Sequence, residues 1–251
     1  MRAAADPFHV WFEALEARHL SRLTFAEVRR GLQALSALYV DRGNRLGAGA
    51  ALEGAGKRAA FALFYAPLHF LLVRRVVDAL GAANGRPARL LDLGCGTGSA
   101  GAAWATLVAG RCEIAGVDRS GWAVEEARWN YRVLGLRGDA LRGDLRRAAL
   151  PGKGSAILAA YTVNELDDGA RADLLARLLD ARGRGARVLV VEPIARRPFL
   201  WWESWLEAFR AAGGRDDVWR FAADLPERLR LFDRAARLDH RELTARSLWL
   251  A

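Results

Sequence analysis

The sequence predicts a doubly wound α/β sheet of the Rossmann-like kind behind a helical N-terminal extension, and three observations carry that prediction. In Leu90-Leu91-Asp92-Leu93-Gly94-Cys95-Gly96-Thr97-Gly98-Ser99 an apolar strand breaks into three glycines at alternating positions. The small apolar residues 100–108 then restart the chain as a helix. Bare backbone and free N–H groups therefore sit at the carboxyl edge of a parallel strand, where a nucleoside-bearing ligand lies. Residues 113–118 form the next strand and again end on an acid, Asp118, with Ser120 placed to cap the helix that follows. Residues 8–82, by contrast, show helical periodicity and no strand.

The elements follow in order. Thr24-Phe25-Ala26-Glu27 has the form of a capping box, and Phe25, Val28, Leu32, Leu35 and Tyr39 line one face of the helix it opens. Residues 43–56 are glycine-rich and read as a loop, after which residues 57–80 return to helix around Pro67. The longest apolar run, residues 59–73, is interrupted by Pro67 and His69. It is shorter than the roughly 20 residues that span a bilayer, so it reads as packed helix and turn. The chain divides into a helical cap, residues 1–85, and a sheet domain, residues 86–251. In the latter, a helix over residues 122–134 stops before Gly135, and a strand ends near Asp144. Residues 155–161 are a short apolar strand, and a charged helix runs over residues 168–181 toward Gly183. Residues 186–191 make a fifth strand closed by Glu192-Pro193, and residues 243–250 a terminal one.

Composition bounds the function classes. With 251 residues and 52% hydrophobic content the chain buries one α/β core plus an appendage. The net charge of +9 raises a nucleic-acid surface. The cations are almost all arginine, with lysine only at Lys57 and Lys153, and they are spread over many helices, as on a solvated or ion-paired surface. Cys95 and Cys112 form no CxxC pair or Cys/His cluster, so no metal is expected. Two cysteines and an N-terminus with Asp6 and Pro7 in place of an apolar leader fit a cytoplasmic protein with no membrane partner. Trp201, Trp202 and Trp205, preceded by Arg196 and Arg197, could sandwich a planar substrate. The spacing of Trp201, Trp205 and Phe209 reads first as a core-facing stripe, and His9, His19 and His240 as packing or surface residues.

Two readings of the glycine loop compete. Gly96, Gly98 and Gly101 satisfy the pyrophosphate fingerprint G-x-G-x-x-G, which would make the protein a nucleotide-dependent oxidoreductase. A carboxylate at Asp92 would repel that diphosphate, and it suits a cationic ligand. The spacing of Asp92, Gly94, Gly96 and Gly98 resembles motif I of the class I S-adenosylmethionine-dependent methyltransferases. The resemblance implies a seven-stranded sheet and S-adenosylmethionine as cofactor. Asp92, Gly94, Cys95, Gly96, Thr97 and Gly98 would then surround its amino-acid end, and Asp118 with Arg119 its ribose. Gly143 and Asp144 would meet its adenine, with Asp139 as a rival for Asp144, and Tyr161 would stand beside it. Asp92 could instead only tie down the turn, and Asp118 only cap its helix.

In that family the end of the fourth strand faces the methyl group. Here it reads Asn164-Glu165-Leu166, which departs from the Asp/Asn-Pro-Pro-aromatic pattern of enzymes that methylate amino groups. Neither cysteine lies beyond the second strand, which argues against a covalent thiolate. Glu165 is the candidate base or anchor, or a loop brace, beside Asn164, with Tyr65 and His69 of the cap closing over the site. The acceptor is then an oxygen or nitrogen of a small molecule, favoured over RNA. Residues 159–166, Val190-Val191-Glu192-Pro193 and Tyr65-Ala66-Pro67 also resemble the methyltransferase-like proteins of the small ribosomal subunit, which implies a ribosome-associated assembly factor or an rRNA methyltransferase as the alternative. That family carries a late iron–sulfur cysteine cluster, and no cysteine follows Cys112 here.

Overall fold

The computed structural model describes residues 6–42, 52–108, 112–194 and 199–251. The side chain of Tyr39, most of the glycine-rich loop, and Arg196 and Arg197 lie outside the described residues. Seven strands form one sheet: β1 (Arg89–Leu93), β2 (Glu113–Asp118), β3 (Arg137–Arg142), β4 (Ser155–Ala160), β5 (Arg187–Glu192), β6 (Arg215–Ala222) and β7 (Glu242–Leu250). Their order is β3-β2-β1-β4-β5-β7-β6, with β7 antiparallel to both neighbours and the other pairings parallel. The order reverses between β1 and β4, so their carboxyl ends open a crevice there. β6 escapes a reading for alternation because Arg215, Asp216, Asp217 and Arg220 populate it. An edge strand tolerates such charge, and Trp219 Nε1 ties it to Ser247 Oγ of β7 at 2.9 Å.

The helices are α1 (Pro7–Leu20), α2 (Phe25–Arg42), α3 (Ala55–Ala60), α4 (Ala66–Ala79), α5 (Ser99–Leu107), α6 (Gly121–Val133), α7 (Asp168–Gly183), α8 (Leu200–Ala211) and α9 (Glu227–Ala235). The capping box forms at α2: Thr24 N and Oγ1 each donate to Glu27 Oε2 at 2.8 Å. Val28, Leu32 and Leu35 are buried as expected, but Phe25, at the first turn, is 42% exposed and is covered only in part by the ring of Phe232 at 5.3 Å. Pro67 shapes the apolar segment. It has no N–H for the carbonyl of Leu63, and its ring crowds that carbonyl. The chain loosens into a π turn, Phe61–Tyr65, in which Ala66 N–H bonds back to Phe61 O, and then continues as α4.

Both faces of the sheet are covered. Leu90, Leu158 and Ala160 face one buried cluster, and Leu91, Leu93, Ile157 and Ala159 the other, with the period of two that strands impose. The second cluster is closed by Leu174 and Leu178 of α7 and by Trp202, Trp205 and Phe209 of α8. This confirms the stripe reading with one change: Trp202 is buried where Trp201 was expected, and Trp201 packs against Trp202 and Trp205. On the first face, Trp11, Leu32 and Phe64 of the N-terminal helices share a continuous core with Trp104, Ile114 and Tyr131. The core therefore crosses residue 85.

Candidate active site

Gly94, Gly96 and Gly98 take φ values of +67°, +52° and +75°, so the β1–α5 loop curls in a conformation that side chains resist. It is held against β2: Gly94 N and Cys95 N donate to Val117 O at 2.8 and 3.1 Å. Asp118 finishes the attachment, since Oδ2 accepts from Gly96 N at 2.9 Å and Oδ1 from Ser120 N at 2.8 Å. Each oxygen keeps a lone pair, so this brace is compatible with holding a ligand hydroxyl.

Asp92 is 1% exposed and its Oδ2 accepts from Gly101 N at 3.1 Å. A Cβ at Gly101 would come within 2.5 Å of that oxygen, which explains the third glycine of the apparent pyrophosphate fingerprint as a packing requirement. Burial pushes the Asp92 carboxyl up to about 7, and the neighbouring Asp118 adds to the rise. Two acids converging on one wall favour a cation. The Cys95 thiol is pushed well above its usual range, first by burial, so it is no nucleophile at neutral pH.

A single cavity of about 690 Å³ runs from this loop to the N-terminal helices. It brings together Asp92, Gly94, Cys95, Gly96, Thr97, Asp118, Arg119, Gly143, Tyr161, Asn164, Glu165 and Tyr65. Gly98 and Asp144 are not on its wall. Gly98 backs onto the Tyr131 ring. Asp144 stands two residues past the end of β3, where its side chain accepts from Arg146 N at 3.0 Å and pairs with Arg119 and Arg146. The Arg146 guanidinium first of all holds its carboxyl well below the usual carboxylate range. Asp139, the rival, pairs with Arg128 on the surface. Glu165 takes an exposed position at the cavity wall, and Asn164 is buried.

The structure adds one side chain that the sequence did not assign to the site and details a second. His69, expected to close over the site with Tyr65, stands on the cavity wall with its ring stacked on Tyr161 at 3.9 Å and 17°. Glu192, expected only to close a strand, is 1% exposed on the cavity wall, and its Oε1 accepts from Val163 N at 2.9 Å and Asn164 N at 3.3 Å. Among the histidines predicted to pack or face solvent, His19 joins Arg18 in pairing with the buried Glu126 of α6, at 3.2 and 2.8 Å.

That pairing has a continuation. Trp11 Nε1 donates to Asn130 Oδ1 at 2.7 Å, and Asn130 Nδ2 donates to Thr97 O at 2.8 Å, so α1 reaches the glycine loop through one buried amide. Asn130→Ala would orphan both partners at about 1–3 kcal/mol each. A thermal melt should show a clear loss of stability, and titration with S-adenosylhomocysteine a severalfold weaker affinity. Unchanged affinity in the folded variant would detach α1 from the loop.

Residues 90–183 match the protein family described as a methyltransferase domain. The aklanonic acid methyltransferase DauC of Streptomyces sp. (strain C5) is 32% identical over 132 residues, 51% of this chain and 58% of that protein, so the chain spans less than two thirds of that relative. Two solved structures share the fold. The magnesium protoporphyrin IX methyltransferase ChlM of Synechocystis PCC 6803, with S-adenosylmethionine bound, has a TM-score of 0.51 and 17% identity, over 99% of this chain and 98% of that one. The mitomycin 7-O-methyltransferase MmcR has a TM-score of 0.52 and 18% identity, over 97% and 72%. The acid-and-glycine loop at the β1 edge thus opens a stretch, residues 90–183, that matches a methyltransferase domain, within a fold shared with two methyltransferases, one of them holding S-adenosylmethionine.

Proposed function

We propose that this protein transfers a methyl group from S-adenosylmethionine to an oxygen or nitrogen of a small molecule held between the glycine loop and the N-terminal helices. The observation that carries this reading is the continuity of the cavity. The acidic, glycine-lined end and an aromatic wall of Phe61, Tyr65, His69 and Tyr161 belong to one enclosure. The acidic end suits the cofactor: a Cβ at Gly96 would meet nothing within 4 Å, Thr97 Oγ1 is buried with no partner, and the carboxylates suit a cation and a pair of ribose hydroxyls. When bound, the cofactor supplies an electrophilic methyl group on a sulfonium.

The chain's own residues then bind, orient and exclude water. Asp92 and Asp118 hold the acidic end. Asn164 and Glu165, at the end of β4, orient the acceptor, and Glu165 is the group able to take its proton at the exposed mouth. The π turn aims Phe61 and Tyr65 inward, where Tyr65 is steadied by a 3.0 Å hydrogen bond with Ser36 Oγ. The names of the aklanonic acid and mitomycin enzymes support a small-molecule acceptor. So does the pairing of many arginines with acids at the surface, as at Arg128, Arg210 and Arg220.

Calorimetry tests the reading. S-adenosylhomocysteine should bind at micromolar concentration, with NAD and NADP far weaker; tighter binding of either dinucleotide would end it. A mixed RNA pool should bind negligibly at physiological salt. A steep salt dependence of RNA binding would move the acceptor to RNA.

A further inference from the structure

Beyond the glycine loop the cavity ends in a corner built from three elements. Phe61, Tyr65 and His69 follow one another at four-residue spacing through the π turn into α4, so they share a helix face. Tyr161, just past β4, lies flat against the His69 ring, and Phe61 meets the same ring edge-on at 6.1 Å and 79°. Tyr161 holds φ at +58°, a strained value for an aromatic residue, and its N–H is pinned to Val191 O at 2.8 Å. That bond sets Tyr161 beside Glu192, the next residue on β5. The imidazole is thereby held by two aromatic rings, one stacked and one edge-on.

Three polar sites of this corner make no hydrogen bond among the described residues. Glu192 Oε2 and Tyr161 Oη are buried with no hydrogen bond, and the His69 ring makes none among the described residues. Glu192 is the decisive one. Its other oxygen already satisfies two backbone N–H groups, so the side chain is rigid and presents a single unpaired oxygen. An unpaired buried polar atom is destabilising, and a cluster of them along one wall implies a ligand that completes them.

We propose that His69 and Glu192 form the acceptor subsite, and that the acceptor is an uncharged planar ring bearing a hydroxyl. In this arrangement the acceptor's hydroxyl donates to the imidazole, a second polar atom of the ring meets Glu192 Oε2, and the ring packs against the Phe61–Tyr65 helix face. The charge states agree. Burial holds the imidazole down to about 4 and pushes the Glu192 carboxyl up to about 8, so at neutral pH the corner is uncharged and an anionic acceptor gains nothing there. The charged groups near Glu192 are Glu165, whose repulsion adds to its rise, and Arg246 of β7, whose guanidinium lies over the Trp202 ring at 4.1 Å.

The inference rests on the methyltransferase reading and is tested separately from it. With the full chain saturated in S-adenosylhomocysteine, the probes are 1-naphthol, naphthalene and 1-naphthoate, followed by calorimetry. The expected result is binding of 1-naphthol at least tenfold tighter than either of the others. His69→Phe, which keeps the stack on Tyr161 and removes the ring nitrogens, should erase the advantage of naphthol over naphthalene. Glu192→Gln, which keeps a carbonyl for the two N–H groups, should leave 1-naphthol, which has no second polar atom, little changed and should weaken 1,5-dihydroxynaphthalene severalfold. Both variants should bind S-adenosylhomocysteine like the parent. Equal binding of naphthol and naphthalene, preferential binding of naphthoate, or a hydroxyl preference that survives His69→Phe would overturn the assignment while leaving the cofactor reading intact. Failure of S-adenosylhomocysteine itself to bind the parent would overturn both.

Discussion

Replacing Asp118 with alanine is expected to weaken S-adenosylhomocysteine binding by two orders of magnitude or more while the protein stays folded. The side chain is asked to do two things at once. It braces the loop through Gly96 N and Ser120 N, and its remaining lone pairs face the cavity. Hydrogen bonds to a charged acceptor contribute about 1.5–3 kcal/mol each, so losing two ribose contacts alone reaches that factor, before any loosening of the loop. Calorimetry on the variant, paired with circular dichroism, separates the roles. Native-like affinity in a folded variant would reduce Asp118 to a brace. Asp144→Ala should cost far less, because Asp144 spends its charge on Arg119 and Arg146 at the rim.

The second large effect concerns pH. Asp92 and Glu192 are pushed up to about 7 and about 8 from ordinary values near 4, in both cases first by burial. Above about pH 4.5 the folded protein keeps the Asp92 proton to about pH 7 and the Glu192 proton to about pH 8 while the unfolded chain has released both, so stability should fall as pH rises, by up to about 1.4 kcal/mol per pH unit for each proton; His69, held down to about 4, offsets one of the two up to about pH 6.5. Asp6, Glu126, Asp144 and Asp233 are shifted down and act in the opposite sense, but their contribution is lost only as pH falls below the usual carboxylate range. Urea denaturation from pH 4 to 9 should therefore give maximal stability near pH 5. Asp92→Asn and Glu192→Gln should each flatten the alkaline limb, since the amides keep an oxygen for Gly101 N and for Val163 N and Asn164 N. An alkaline limb unchanged in both variants would assign the loss to other groups.

The parts of this protein legible in one dimension are those in which a short stretch of chain meets its own constraint. Asp92 with its glycines, the acid closing β2, the Thr24–Glu27 box and the short apolar runs of β1 and β4 all depend on neighbours within a few residues. Turn geometry, capping and strands buried on both faces therefore write themselves into residue order, and with them the doubly wound fold and the cofactor class. The acceptor end was less legible because it is assembled by long-range contacts. His69 meets Tyr161 across 92 positions of chain, and Glu192 reaches back to the N–H groups of Val163 and Asn164. Asn130 joins Trp11 to Thr97 across more than a hundred residues. No local pattern distinguishes a histidine on an apolar helix, or a glutamate closing a strand, from its many structural counterparts. The charge state of such groups was equally out of reach, because it follows from burial rather than from residue type. Residue order thus determined the sheet, its glycine loop and the ligand that loop suits. Only the tertiary structure decided that Glu192 joins Tyr65, His69, Asn164 and Glu165 at the other end of the cavity, because enclosure by distant elements is what leaves Glu192 Oε2 and Tyr161 Oη buried and unpaired.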